Sequence, residues 1–342
     1  MDESVQFGNK KLLLVLAVSE CRCSQDKPLS FKDITPLILK VSESWKSDHI
    51  APEIEKQIDL KQVSYCISDT GNNLTRAINL LNCKHIPDVN HKFSLIVQSV
   101  FEKNPLFDQY TKTLAALRTK KSMSRISRIV PPNQRIMCRF MNLMPLFKWG
   151  MEKINLLDNK KLTKEEEITL SFLQSMREFI FDTYQILIRL NKMQKILKSK
   201  GFNDESKNKV ISLFSDMNSD NSLKIKEKIN EYFADLTSKS EGKTICCSSD
   251  IIESFLSKYK EIVRGNKSFG IPRTSYTVQV SDLCLCIAAM AGKNNAEKTN
   301  EAMEKVRIKQ LEEWKTNNVS KTLFAEKIEL NKKIDRSYFA KK

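Results

Sequence analysis

The stretch Gln62-Val-Ser-Tyr-Cys-Ile-Ser-Asp69-Thr-Gly-Asn-Asn-Leu74, followed by Ile86-Pro-Asp-Val-Asn-His-Lys-Phe93, decides the fold. Val63, Tyr65 and Ile67 alternate with small or polar residues in a β-rich run that ends at Ser68-Asp69. Gly71-Asn72-Asn73 then breaks the run, and Leu74, Ala77, Ile78 and Leu81 recur at helical spacing. The pattern predicts a strand, a turn and a helix, with the Asp69 carboxylate where the strand ends. In open α/β sheets ligands collect at such a point, because strand ends and helix N-termini converge there on a rigid support. Asp69 is therefore a candidate functional residue, and its plainer role is to close the turn by accepting a backbone N–H.

Upstream, Gly8-Asn9 lies between two apolar stretches and signals a hairpin. Asp2 then falls on the first strand, and residues 12–18 form a second whose continuous apolar character predicts burial on both faces. A third strand is expected near residues 20–24, and helical spacing at Phe31, Ile34, Leu37, Ile38 and Val41 predicts a helix over 30–44. Downstream come a short strand at 85–89 and a helix over 93–101. The expected order β-β-β-α-β-α-β-α defines an α/β layer.

After Asn104-Pro105 the pattern is helical up to about residue 242, broken at Pro131-Pro132, Pro145, Gly201 and Asp220-Asn221. The longest piece, 164–200, opens with Thr163 and Glu166 in a capping box and would span roughly 55 Å if unbroken. Ser249 and Asp250 cap a further helix with Ile251, Ile252, Phe255 and Leu256. An amphipathic helix over 281–291 and a charged helical tail over 296–330 complete the reading.

Composition sets bounds on function. The 342 residues carry 57 Lys and Arg against 41 Asp and Glu, a net charge of +16, with 41% hydrophobic residues. The core is therefore sizeable, and the basic balance favours a polyanion such as nucleic acid through counterion release. No apolar run reaches the length of a membrane span. Asp2-Glu3 directly after Met1 is unlike a secretory or lipidation signal. Nine cysteines without a Cys-x-x-Cys pair, beside three histidines, argue against a structural zinc site and for thiols in a reducing cytoplasm.

Asp2, Asp69 and Glu253, two on strands and one in the first turns of a helix, resemble the acids of bacterial insertion-sequence DDE transposases. Asp88-Val-Asn-His91 is similar to the Cys/Asp-x-x-His signature that follows the second acid in transposases with a helical insertion. Glu253 and Lys260 match the Glu-x6-Lys spacing around the third acid. The resemblance covers about residues 2–260. It implies a ribonuclease-H-like mixed sheet interrupted by a large all-α insertion, with a helical C-terminal region. The implied domains are a first part of the core over 1–104, an insertion over 105–247, the end of the core over 248–295 and a charged tail over 296–342.

The implied chemistry is cleavage and strand transfer at double-stranded DNA, at transposon ends and target, in a nucleoid-associated cytoplasmic protein. Two Mg²⁺ ions, with Mn²⁺ as a substitute, would activate the attacking oxygen and stabilise the leaving one. Asp2, Asp69 and Glu253 would hold them. Lys260 would contact a phosphate, His91 would organise the site, and Trp149 would stack on a flipped base. Arg125 and Arg128 belong to the basic run Arg118, Lys120, Lys121, Arg125, Arg128, Arg135 and Arg139, the densest candidate for phosphate contact. A homodimer is compatible with this scheme.

In that family the first acid lies within its strand and a DNA-binding domain precedes the core. With Met1 directly before Asp2, the resemblance implies an N-terminally truncated copy. The alternatives are an inactive DNA-binding remnant of a transposase and a helical interaction protein in which the acids never meet.

Overall fold

The computed structural model of this chain describes residues 1–7, 10–19, 29, 33–42, 44–134, 140 and 142–254. It is mostly helical, with small sheets of few strands, and it divides into two compact units. Among the described residues, unit 1 comprises those up to His85, together with 249–254; unit 2 comprises 86–248. The chain thus leaves unit 1 after His85 and returns to it at Ser249.

In unit 1, β1 (Asp2–Phe7), β2 (Lys10–Val18) and β3 (Ile34–Ser42) form an antiparallel sheet in the order β1-β2-β3. The central strand is buried on both faces, as its unbroken apolar run requires: Leu12, Leu13, Leu14 and Val15 are all buried. Residues 34–42 form a strand where helical spacing predicts a helix. The β-branched Ile34, Thr35, Ile38 and Val41 favour extended backbone, and Pro36 has no N–H for a helix interior. The sheet accommodates Pro36 on an outer strand, at a shift in register where Val15 pairs Ile38 but Leu16 pairs Pro36. The expected third strand at 20–24 lies outside the described residues.

The helix that follows is α1 (Ser47–Glu55), which packs on α2 (Asn72–Leu80). Between them runs β4 (Cys66–Ser68), shorter than its alternating pattern suggests, and β4 pairs with β5 (His85–Pro87), where the unit ends at His85. One core of Met1, Leu13, Val15, Ile38, Trp45, Ile50, Ile54, Leu74 and Ile78 ties the sheet to both helices. Trp45 Nε1 donates to the Lys11 carbonyl at 2.9 Å, so the buried indole keeps its hydrogen bond. Among the described residues the order of strands and α-helices in this part of the chain is β-β-β-α-β-α-β-α, with a strand at 34–42 in place of the expected helix.

Unit 2 is helical: α3 (Val89–Phe101), α4 (Pro105–Lys121), α5 (Met144–Asp158), α6 (Lys164–Leu170), α7 (Phe172–Ser175), α8 (Arg177–Lys200), α9 (Asp204–Ser212) and α10 (Asp220–Ser240). The expected single helix over 164–200 is three helices. Its apolar face continues through the breaks, so periodicity does not reveal them. Ser171 and Ser175 Oγ donate to the carbonyls of Ile168 and Phe172, each at 2.9 Å, and compete locally with the backbone ladder.

The core of unit 2 is aromatic. The Phe147 ring lies 5.0 Å from that of Tyr110 and 5.9 Å from that of Phe179, and the Phe101 ring lies 5.8 Å from that of Phe107. Gly150 lets α5 approach this cluster, since a Cβ there would stand 2.5 Å from Tyr110 Oη and 3.1 Å from Ile180 Cγ2. Tyr110 cannot easily yield, because its hydroxyl donates to the Leu146 carbonyl at 2.9 Å. Gly150→Val is expected to cost about 2 kcal/mol by overpacking, read as a lower urea midpoint, although Gly is a poor helix former.

Candidate functional site

The junction of β4 and α2 is built by side chains that satisfy the backbone. Ser68, fully buried, donates its hydroxyl to the Asp69 carbonyl at 2.8 Å and shares a second hydrogen bond of 2.9 Å with His85 Nε2. Asp69 is half-buried, and its Oδ1 accepts the Gly71 N–H at 3.0 Å. This is an Asx turn into the helix, the plainer role expected for the residue. Gly71 is also where a Cβ would press to 3.0 Å of the same oxygen, so the turn is shaped around the carboxylate.

Asp2 lies close by in the fold. The amino group of Met1 donates to the Ile67 carbonyl at 2.7 Å, which sets the start of β1 beside β4. Asp2 and Asp69 therefore stand one and two residues from a shared hydrogen bond. Glu253 is half-buried in the helical segment 250–254, whose start is tied by the Ile252 N–H to the Ser249 carbonyl at 2.8 Å. All three acids thus belong to unit 1, although 67 and 184 positions separate them along the chain. They do not form a ligand set as they stand. Among the described residues, no group of three or more His, Cys, Asp or Glu side chains could hold a metal ion.

The remaining expected site residues belong to unit 2 or lie outside the described residues. Asp88 is fully buried and caps α3, with Oδ1 accepting the N–H groups of Asn90 at 2.8 Å and His91 at 3.2 Å. The Asp-x-x-His signature is therefore a helix start in which the carboxylate holds the backbone of the histidine. Beside it, Asn90, Phe93, Ser94, Leu190 and Gln194 line a cleft of about 250 Å³ that sequence reading did not foresee. Trp149 is buried in α5, where its Nε1 has no hydrogen-bond partner among the described residues. Its place there is that of a core residue, not of a ring presented to a base.

The basic run is partly committed to internal contacts. Arg118 donates to the Pro131 carbonyl at 2.7 Å, and Lys121 pairs with Glu165 at 3.5 Å. Arg128 grips Glu166 with two bonds, Nε to Oε1 at 2.5 Å and a terminal nitrogen to Oε2 at 2.6 Å. Arg125 is exposed. Arg135, Arg139 and Lys260 lie outside the described residues.

Glu166 also closes the predicted capping box, accepting the Thr163 N–H at 2.8 Å while its own N–H points to Thr163 Oγ1. Arg128 and the Thr163 backbone draw its carboxyl down from 4.5 to about 2. A depressed carboxyl stabilises the fold fully above its unfolded value and loses that contribution as pH falls through the folded one. Glu166→Ala is therefore expected to cost about 1–2 kcal/mol at neutral pH, chiefly through the cap, since the exposed Arg128 is screened by solvent. In urea titrations the gap between wild type and variant should close as pH falls from 4.5 towards 2.

No protein-family model and no curated protein matches this chain. Among the described residues, no helix is long and apolar enough to cross a membrane.

Proposed function

We propose that this chain is the catalytic region of a DDE-type DNA transposase, with a ribonuclease-H-like core divided by a helical insertion. The observation that carries this reading is the return of the chain to unit 1 at Ser249, which gives Glu253 the same unit as Asp2 and Asp69 across a mostly helical excursion. The Met1 to Ile67 hydrogen bond supports it by bringing the start of β1, and with it Asp2, beside β4, although the strands form two separate sheets. The net charge of +16 suits a DNA partner.

Asp2, Asp69 and Glu253 are the residues that would hold the ions. When bound, Mg²⁺ would supply Lewis-acid activation of the attacking oxygen and relief of charge on the leaving one. The chain's own part is to carry the acids on β1, on the β4 turn and on the helix from Asp250, and to hold DNA phosphates with exposed cations such as Arg125. Purified chain is expected to nick supercoiled DNA with Mg²⁺ or Mn²⁺ and to stop when the metal is chelated. Nicking that persists in chelator would contradict the proposal.

A second reading is favoured by the absence of a three-carboxylate cluster among the described residues and by the Asp69 to Gly71 turn. In it the chain is a catalytically inactive DNA-binding remnant of a transposase. It predicts salt-sensitive DNA binding and no metal-dependent cutting at all.

A further inference from the structure

Cys66 and Cys83 face each other across the base of the β4 strand. The Cys66 thiol donates to Cys83 Sγ at 3.4 Å, and both side chains are half-buried against the unit 1 core. The backbones are held in register, since the Cys66 N–H donates to the Lys84 carbonyl at 2.8 Å and the Cys83 N–H to the Ile78 carbonyl at 3.2 Å. The two sulfurs already stand 3.4 Å apart, and the Cys66 backbone is bonded to Lys84, the residue next to Cys83, so the pair starts close to bonding distance. A sulfur–sulfur bond of about 2.05 Å then needs only a small rotation of the two side chains.

The two thiols are also unequal. The bond from Cys66, with the Lys84 amide and charge, draws the Cys83 thiol from 9.0 down to about 7, against partial burial. The same bond, together with burial, pushes the Cys66 thiol up. Near neutral pH, Cys83 is therefore the attacking sulfur and Cys66 the resolving one.

We propose that Cys66 and Cys83 are a thiol-oxidation site, closed into an intramolecular disulfide by a low-molecular-weight disulfide of the glutathione class. The Cys83 thiolate attacks one sulfur of oxidised glutathione, and the first glutathione thiolate leaves and takes up a proton. Cys66 then gives its proton to solvent, and its sulfur displaces the second glutathione from Cys83. Two protein thiols are oxidised, and one glutathione disulfide becomes two glutathione thiols. The closed bond ties the strand that ends in Asp69 to the segment entering β5, around α2.

The test is incubation of the full chain with oxidised glutathione, alkylation of the remaining thiols, digestion and mass spectrometry. The expected product is a peptide linked through Cys66 and Cys83, lost on treatment with dithiothreitol. In Cys66→Ser, and in Cys66→Ala as a check on folding, Cys83 should instead hold one stable glutathione. In Cys83→Ser, Cys66 should remain open to alkylation. A wild-type chain that accumulates glutathione on Cys83 without the linked peptide would overturn the proposal. So would one in which both thiols stay alkylatable, or in which either pairs with another of the nine cysteines.

Discussion

Asp69→Asn is expected to abolish metal-dependent nicking, by at least about a thousandfold, while leaving the folded stability of the chain nearly unchanged. The substitution separates the turn role of Asp69 from the metal-holding role proposed for it. An asparagine side-chain oxygen can still accept the Gly71 N–H at the 3.0 Å position that Asp69 Oδ1 occupies, so the turn into α2 survives. What is lost is the negative charge that a metal ion requires. Loss of a metal ligand removes several kcal/mol of transition-state stabilisation, and about 4 kcal/mol corresponds to a thousandfold in rate. Nicking of supercoiled plasmid would be read beside thermal melts of the same preparations. An Asp69→Asn chain that cuts at the wild-type rate would reduce Asp69 to a turn residue.

Phe147→Ala should produce the largest loss of stability, about 3–5 kcal/mol. The ring is fully buried in α5 and has three aromatic neighbours, with ring centroids of Phe107 at 6.4 Å, Tyr110 at 5.0 Å and Phe179 at 5.9 Å. Those neighbours sit on α4 and α8 and are fixed by their own helices, so they cannot collapse into the space. The lost transfer free energy and the residual cavity therefore add. Amide hydrogen exchange in α4, α5 and α8 measures the effect, and a loss below about 1 kcal/mol would mean that the cluster repacks.

The parts of this fold that sequence made legible are those punctuated by local chemistry. Gly71, Pro87 and Asp88 mark strand ends and helix starts, and the Thr163–Glu166 capping box stands where its pattern predicts. Residues 34–42 read as a helix and form a strand, because short apolar runs fit both periods and pairing with β2 decides between them. Helix α1 carries no side-chain cap and holds Pro52 in its interior, so no start signal announces it.

Contacts between distant residues are a different matter. The bonds joining Arg128 to Glu166 and Cys66 to Cys83 span 38 and 17 residues and depend on how segments align in three dimensions. For the same reason a basic run readable as a DNA surface includes Arg128, a residue already held by a buried carboxylate. Trp149, in a stretch of mixed basic and apolar residues, is a base-stacking ring only by the family resemblance; core packing is the better reading of its surroundings, and α5 buries it.

The central claim is that acids from three distant segments share one metal centre, and iron-directed cleavage tests it most directly. Fe²⁺ replaces Mg²⁺ in the presence of DNA, ascorbate and peroxide then generate radicals at the bound ion, and the cut positions in the polypeptide are mapped. The account predicts backbone cuts clustered near Asp2, Asp69 and Glu253 together, suppressed by excess Mg²⁺ and lost in Asp69→Asn. Cuts at only one of these segments, or cuts that excess Mg²⁺ leaves unchanged, would contradict it.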